Sequence, residues 1–256
     1  MALPLVYFNM YCPFGGIGRH AGLRSQCASV RVRVSEGAPN GGKYMKYTII
    51  EDCSPYYIRF SWNGIEDIIA LVASLSTIDT SIRFSNSTYT HYDFNADKAN
   101  QIINNLPMKS DFDFMMNRVG LFVTTPGSKS STHKDATDHR FSINLPIEIL
   151  DNNCVTSWYN DEEISEFELS DSHRGYSRVL KSIDLTSKVP SKTMIAQPNE
   201  CILFNTDVYH NWDNTQSINQ RIVLTLRVNN PGKMYFDDAK KILFGSVAES
   251  GLLQQS

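Results

Sequence analysis

The sequence ECILFNTDVYHNWDNTQSINQRIVLTLRV, residues 200–228, contains two strand-like runs separated by polar residues. Its two ends, ECILFN and RIVLTLRV, are short and rich in aliphatic and β-branched side chains, a composition typical of β-strands. The residues between them contain turn signals and no apolar repeat at helical spacing. Strands that follow one another without a helix predict an antiparallel, mainly β fold.

The same strand-and-turn pattern extends over most of the chain. Further strands are predicted at KYTII (46–50), YYIRFSW (56–62), DFMMNRVGLFVTT (113–125), RFSINLPI (140–147), CVTSWY (154–159), EFELS (166–170), YSRVLKSIDL (176–185) and TMIAQ (193–197). Two helices are predicted earlier in the chain, at residues 63–75 and 97–105. The fold class is therefore mainly β with flanking helices. We expect a double-stranded β-helix, the cupin-like jelly roll, with its core at about residues 107–229 and the helices bracing one sheet from outside.

Composition and charge limit the classes of partner. The 256 residues suit one β-rich domain with a sizeable core, and the net charge of −3 gives no reason to expect nucleic acid or an acidic membrane as partner. The longest apolar stretch, around residues 68–75, is much shorter than the ~20 residues of a membrane span. We expect a cytoplasmic protein, in the host cytoplasm if the source is viral. No pattern in the sequence indicates the oligomeric state.

The cysteines form no recognisable framework. They are widely scattered, odd in number and contain no C-x-x-C pair: Cys12, Cys27, Cys53, Cys154 and Cys201. Neither a disulfide scaffold nor a zinc ribbon is expected from this spacing. We predict buried or incidental thiols.

The first 44 residues differ from the rest of the chain. They hold seven of the fourteen glycines and a single acidic residue, Glu36. Gly16, Gly18 and Gly22 imitate a dinucleotide-binding fingerprint, but no amphipathic helix or run of βα units follows them. The segment resembles the peptide obtained when a transfer-RNA gene is translated, so we expect a non-native or disordered extension and a start at Met45. Residues 45–256 are expected to form a single domain.

A metal-binding set stands out within the predicted strands. His133 and Asp135 lie two residues apart and share one face of an extended segment, and His210 follows the strand ECILFN. Two imidazoles and one carboxylate are the ligands of non-haem Fe(II) oxygenases, because they leave three adjacent positions open for co-substrate and dioxygen. We predict that these three residues hold a metal ion and form the catalytic centre.

A second group of residues fits a carboxylate ligand near that metal. Arg221 follows His210 by eleven residues, and a guanidinium can clamp a carboxylate through two parallel hydrogen bonds. Thr225 and Arg227 share the face of Arg221 on one strand, so hydroxyl and guanidinium contacts to the same carboxylate are expected. Asn144, on the strand RFSINLPI, is expected to offer its amide to the same ligand.

With these residues, the chain resembles the 2-oxoglutarate- and Fe(II)-dependent dioxygenase superfamily, in particular the prolyl-hydroxylase-like oxygenases of bacterial viruses. The resemblance covers about residues 107–229. It implies hydroxylation with decarboxylation of 2-oxoglutarate to succinate, with His133, Asp135 and His210 on iron and Arg221 on 2-oxoglutarate. It also implies O2 as oxidant and allows ascorbate as an auxiliary reductant. A small-molecule or peptidyl substrate is expected, but its identity and the hydroxylated position are not encoded in any recognisable motif.

Two alternatives to the oxygenase, from other functional classes, stay open. The same ligands occur in cupin-like metal enzymes that do not use 2-oxoglutarate, and the other alternative is a non-catalytic jelly-roll binding module that happens to retain them. Arg221 favours the oxygenase, because neither alternative needs a cation at that position. Substrate-facing loops are expected at residues 85–95 and 160–178.

Other histidines are given no role in the site. His91 and Asp93 form a second H-x-D pair, which we predict to lie at the surface and outside the sandwich. His139 has the wrong parity to accompany His133 easily, and it is expected to be a supporting or surface residue. His173 lies in a polar loop.

Overall fold

The computed structural model describes residues 46–76, 80–135, 140–160, 169–171, 178–180, 189–229 and 234–245. Several sequence predictions therefore lie outside the described residues. They concern the N-terminal extension 1–44, with Cys12 and Cys27, and both His139 and His173.

Among the described residues the chain forms fourteen strands, three α-helices and one 3-10 turn. The strands are β1 Thr48–Cys53, β2 Tyr57–Ser61, β3 Thr80–Ser85, β4 Tyr89–Phe94, β5 Gly120–Thr124, β6 His133–Lys134, β7 Phe141–Ile149, β8 Val155–Tyr159, β9 Leu169–Asp171, β10 Arg178–Leu180, β11 Lys192–Met194, β12 Cys201–Asn205, β13 Tyr209–Asp213 and β14 Arg221–Leu226. The helices are α1 Ile65–Ser76, α2 Ala96–Asn105 and α3 Phe236–Phe244, and the 3-10 turn is Met116–Arg118.

The strands form two antiparallel sheets. In the described part of the chain, the larger sheet has the order β1-β2-β12-β7-β14-β5-β4-β3, and the smaller sheet has the order β11-β8-β13-β6-β10-β9. Neighbouring strands in the sheets are often distant in sequence, as in the pairs β12 with β7 and β7 with β14. Two facing antiparallel sheets with such crossovers form a jelly roll, which confirms the predicted fold class.

The two faces of the larger sheet have different characters. Ile143 and Leu145 of β7, with Leu224 of β14, are buried in the main apolar core together with residues of the three helices. Because side chains alternate along a strand, the neighbours of these residues point to the opposite face, between the sheets. That inner face carries polar residues such as Asn144 and Thr225. The helices therefore brace the outer face, as predicted, and leave the inner face free to line a cavity.

Helix α2 begins at the expected place. Asn95 is its N-cap, and the Asn95 side chain accepts a hydrogen bond from the backbone N–H of Lys98 at 3.0 Å. Its buried residues, Ala99, Ile102 and Ile103, lie at helical spacing and face the core. The predicted and observed spans of both early helices agree to within about two residues.

Several features of the fold were not predicted. Strand β13 occupies Tyr209–Asp213, where only turn residues were expected. Strands β3 and β4 form a hairpin that extends the larger sheet beside β5, where a loop was expected at residues 85–95. Helix α3 packs on the core near the end of the described chain. The predicted strand at 113–125 is shorter than expected, because the 3-10 turn precedes β5.

The hairpin meets β5 closely at Gly120. A Cβ atom added at Gly120 would lie 2.3 Å from the backbone oxygen of Tyr92. The residue is therefore glycine because no side chain fits between β4 and β5 at this point.

Candidate metal centre

The two histidines of the predicted metal set are direct neighbours across two strands. His133 lies on β6 and His210 on β13, and the two residues are paired in the antiparallel ladder. Their ring centroids are 4.5 Å apart. Asp135 follows β6 directly, and its backbone N–H donates to the carbonyl oxygen of Thr206 at 3.0 Å. One candidate ligand atom from each of the three residues lies within 4.8 Å of the others.

Backbone carbonyls select the ring nitrogen that each histidine presents. The Nδ1 of His133 lies 2.8 Å from the carbonyl oxygen of Ser131, and the Nδ1 of His210 lies 2.8 Å from that of Val208. A carbonyl oxygen can only accept, so Nδ1 carries the proton in both neutral rings. Each Nε2 is then left with a free lone pair. This is the usual support for a metal-bound histidine.

Arg227 holds the carboxylate of Asp135. Arg227 Nη2 lies 2.6 Å from Asp135 Oδ2, while Asp135 Oδ1 faces His133 Nε2 at 3.7 Å. Burial by itself raises the pKa of Asp135, but the charge of Arg227, with smaller contributions from the two neighbouring histidines, outweighs it and lowers that pKa to about 2. Asp135 is therefore a charged ligand with one oxygen committed to Arg227 and the other free to face the histidines.

His210 is kept neutral by its surroundings. It is buried, and the ring of Phe204 packs edge-on against it with centroids 4.9 Å apart. Burial, followed by the neighbouring His133, lowers the pKa of His210 to about 3. A neutral imidazole is the form that donates its lone pair to a metal.

The three residues lie at a cavity of about 980 Å³ between the two sheets. Arg221, Asn144 and Thr225 also line this cavity, on the inner face of the larger sheet. Thr225 is the ladder partner of Asn144, so the amide and the hydroxyl are cross-strand neighbours. The structure thus places every predicted site residue on one cavity.

Arg221 is buried without a carboxylate partner in the described part of the chain. Only 9% of the residue is exposed, and its Nη1 contacts the thiol of Cys154 at 3.5 Å. Its Nε is buried and has no hydrogen-bond partner among the described residues. A buried guanidinium that lacks an anion is costly, so this residue fits the site of a bound carboxylate.

One expectation about nearby residues was wrong. His91 and Asp93 do not lie outside the sandwich, because β4 is a strand of the larger sheet and His91 lines the cavity. Arg227 pairs with Asp135 through Nη2, and its Nη1 has no hydrogen-bond partner among the described residues.

A local signal was available for the β3–β4 hairpin. Both strands are rich in aromatic and β-branched residues, and Asn86 forms a turn between them by accepting hydrogen bonds from the backbone N–H groups of Thr88 and Tyr89, both at 2.8 Å. Much of the other expected substrate loop, including residues 161–168 and 172–177, lies outside the described residues.

The cysteines of the described chain agree with their prediction. Cys53, Cys154 and Cys201 are buried and form no disulfide among the described residues. Within the described ranges, no helix is both long and apolar enough to cross a membrane.

Comparisons with known proteins find solved structures with a similar fold but identify no family. No family model matches the chain, and no curated protein matches it. Solved structures that resemble it include HygX from Streptomyces hygroscopicus with nickel, 2-oxoglutarate and hygromycin B bound, at 9% identity and a TM-score of 0.48 over 69% of this chain and 83% of that one. A second HygX structure, with nickel and 2-oxoglutarate bound, matches at 10% identity and the same TM-score and coverage.

A vicilin structure appears in the same comparison. Vicilin from Corylus avellana (hazelnut) matches at 14% identity with a TM-score of 0.34, over 59% of this chain. This chain covers 32% of the length of the hazelnut vicilin chain. The fold assignment rests on the two sheets described above.

Proposed function

We propose that this protein is a 2-oxoglutarate- and Fe(II)-dependent dioxygenase that hydroxylates an organic substrate and converts 2-oxoglutarate to succinate. The observation that carries the proposal is the set of His133, Asp135 and His210 on a cavity that is also lined by Arg221, which has no carboxylate partner among the described residues. The activity is assigned to a single domain formed by residues 45–256.

The three ligands suit an iron ion that must keep open positions. Both histidines present Nε2, and Asp135 presents one carboxylate oxygen because Arg227 holds the other. Ligands from only three side chains leave room for a chelating co-substrate and for O2. When bound, the iron and 2-oxoglutarate supply the oxidising chemistry.

The chain's own residues bind and orient the co-substrate. Arg221 is expected to hold the distal carboxylate of 2-oxoglutarate, with Thr225 and Asn144 as polar neighbours on the same face. Because Arg221 is buried, water competes weakly for its guanidinium, which strengthens the ion pair.

An anaerobic titration tests the assignment directly. The full chain is loaded with Fe(II) and titrated with 2-oxoglutarate, while the weak visible charge-transfer band expected near about 500 nm for a chelated keto acid is followed. We expect the band in the wild type. It should be absent from His133→Ala and Asp135→Ala, provided that circular dichroism shows the fold to be retained.

The same titration separates the remaining functions. Iron binding without the band would favour a cupin-like metal enzyme that does not use 2-oxoglutarate. No iron binding at all would favour a non-catalytic binding module. Either result would refute the proposal.

A further inference from the structure

A cluster of three arginines lies on the cavity at a distance from Arg221. Arg83 lies on β3, Arg118 ends the 3-10 turn and Arg227 follows β14, and all three line the cavity. We call these three residues the arginine cluster. Arg221 and Arg227 are six residues apart along one extended strand, which separates them by roughly 20 Å. The cavity therefore has two cationic regions.

The arginine cluster carries more positive charge than its carboxylates neutralise. Arg83 Nε pairs with Asp93 Oδ2 at 2.6 Å, and Arg227 pairs with Asp135 at the same distance. Arg118 makes no ion pair within the described ranges, and it is only partly exposed. Burial lowers the pKa of Arg83, and the positive charges of Arg118 and Arg227 lower it further. The carboxylate of Asp93 opposes this shift but does not cancel it. One positive charge is left over.

His91 lies beside the arginine cluster and is neutral. Burial, followed by the charges of Arg83, Arg227 and Arg118, lowers the pKa of His91 to about 4. Its Nε2, Asp93 Oδ1 and Arg227 Nη1 are buried and have no hydrogen-bond partner among the described residues. Buried polar atoms are rarely left unpaired in a folded protein. Arg227 Nη1 can only donate, so beside an excess positive charge it indicates a ligand that is anionic and accepts hydrogen bonds.

We propose that the arginine cluster binds an anionic group of the substrate, a carboxylate or a phosphate, and so holds the substrate beside the metal centre. Arg118 supplies the uncompensated charge, while Arg227 Nη1 donates a hydrogen bond. Arg227 links the candidate metal centre to the anion site, because it pairs with Asp135 and also belongs to the arginine cluster. That the bound anion belongs to the substrate rests on the proposed function, whereas the anion site itself rests on the arginine cluster.

Calorimetric titration of the full chain with two simple probes tests the site. Inorganic phosphate and acetate are each titrated into the wild type, Arg118→Ala and Lys109→Ala. Each variant removes one positive charge, and Lys109 is exposed and does not line the cavity. We expect Arg118→Ala to weaken binding of the tighter probe by roughly tenfold or more, with little change in Lys109→Ala. Arg118→Lys should restore part of that affinity.

The probes also distinguish the two sources of the anion. Tighter binding of phosphate identifies a phosphate ester, and tighter binding of acetate identifies a carboxylate. No binding of either probe to the wild type, or equal losses in Arg118→Ala and Lys109→Ala, would overturn the site. Unchanged binding of both probes in Arg118→Ala would overturn it as well.

Failure of this inference is separable from failure of the proposed function. Absence of the 2-oxoglutarate band with normal, Arg118-dependent anion binding would refute the dioxygenase and keep the anion site. A normal band with no Arg118-dependent anion binding would refute only the anion site.

Discussion

Arg227 Nη2 lies 2.6 Å from Asp135 Oδ2, although the two residues are 92 positions apart in the sequence. The ion pair joins the end of β14 in the larger sheet to the residue after β6 in the smaller one. It leaves Asp135 Oδ1 facing His133 Nε2. Arg227 is therefore a positioning residue for the candidate metal centre, because it fixes the orientation of one ligand.

Arg227→Met should weaken metal binding. Without the guanidinium, the Asp135 carboxylate is free to rotate away from the histidines, and loss of such a supporting contact typically costs about 10- to 100-fold in affinity. Fe(II) or Ni(II) affinity, measured by competition with a chelator, reports the change. Arg140→Met is the matched control, because Arg140 pairs with Asp207 and does not line the cavity. An unchanged or tighter affinity in Arg227→Met would contradict the role.

Arg221→Ala should weaken 2-oxoglutarate binding and leave metal affinity nearly unchanged. Arg221 is buried and lacks a carboxylate partner among the described residues, so its loss should cost about 2 kcal/mol or more, roughly 30-fold in affinity. The visible titration of the metal-loaded protein measures this directly. Arg221→Lys should recover only part of the affinity, because an ammonium cannot form two parallel hydrogen bonds. Equal 2-oxoglutarate affinities in Arg221→Ala and the wild type would rule out this contact.

Gly120→Ala should destabilise the protein through the β4–β5 pair. The added Cβ would lie 2.3 Å from the Tyr92 backbone oxygen, so the strands must separate, which should cost about 1–3 kcal/mol. Urea unfolding followed by circular dichroism measures the loss. Gly127→Ala is a useful comparison, because nothing lies within 4 Å of its added Cβ and only its φ of +70° is unfavourable. A smaller loss at Gly120 than at Gly127 would show that β4 and β5 are less tightly paired.

Asp52→Asn should reduce stability at neutral pH and have little effect in acid. Lys240 of α3 donates to Asp52 Oδ2 at 2.8 Å, and although burial raises the pKa of Asp52, the bonds from Lys240 and Ser54 lower it below its ordinary value of 3.8. A lowered folded pKa stabilises the protein above the unfolded pKa, and this contribution is lost as the pH falls through the folded pKa. The pair is partly exposed, so about 0.5 kcal/mol is expected at pH 7.

A double-mutant cycle checks that contribution. Lys240→Met should cost a similar amount, and the double variant Asp52→Asn/Lys240→Met should lose little more than either single variant. The difference in urea midpoint between wild type and Asp52→Asn should shrink below about pH 4. A constant difference across this range would exclude the ion pair as its cause.

Most of the fold could be predicted from local pattern. Strands such as β7, β12 and β14 are marked by their composition, and α1 and α2 by helical spacing and their flanking residues. The β3–β4 hairpin was missed because its residues are mostly half-buried and mix polar with aromatic side chains. Such strands carry a weak period-2 signal, because neither face is consistently apolar.

The candidate site also has some features that the sequence predicts and others that it does not. The spacing of His133 and Asp135, and the distance from His210 to Arg221, were visible in the chain because each pair is local. The location of His91 was not visible, because it depends on β4 joining the sheet beside β5.

The sequence by itself determined the mainly β fold and the set of residues with metal-binding chemistry. Both follow from residue types and from short spacings, which local sterics and the alternation of strand side chains convert into structure. Only the tertiary structure decided that β6 pairs with β13, that Arg227 pairs with Asp135 and that three arginines meet beside His91. These contacts join residues far apart in the chain, and they form only where packing of the two sheets offsets the entropy of bringing such segments together.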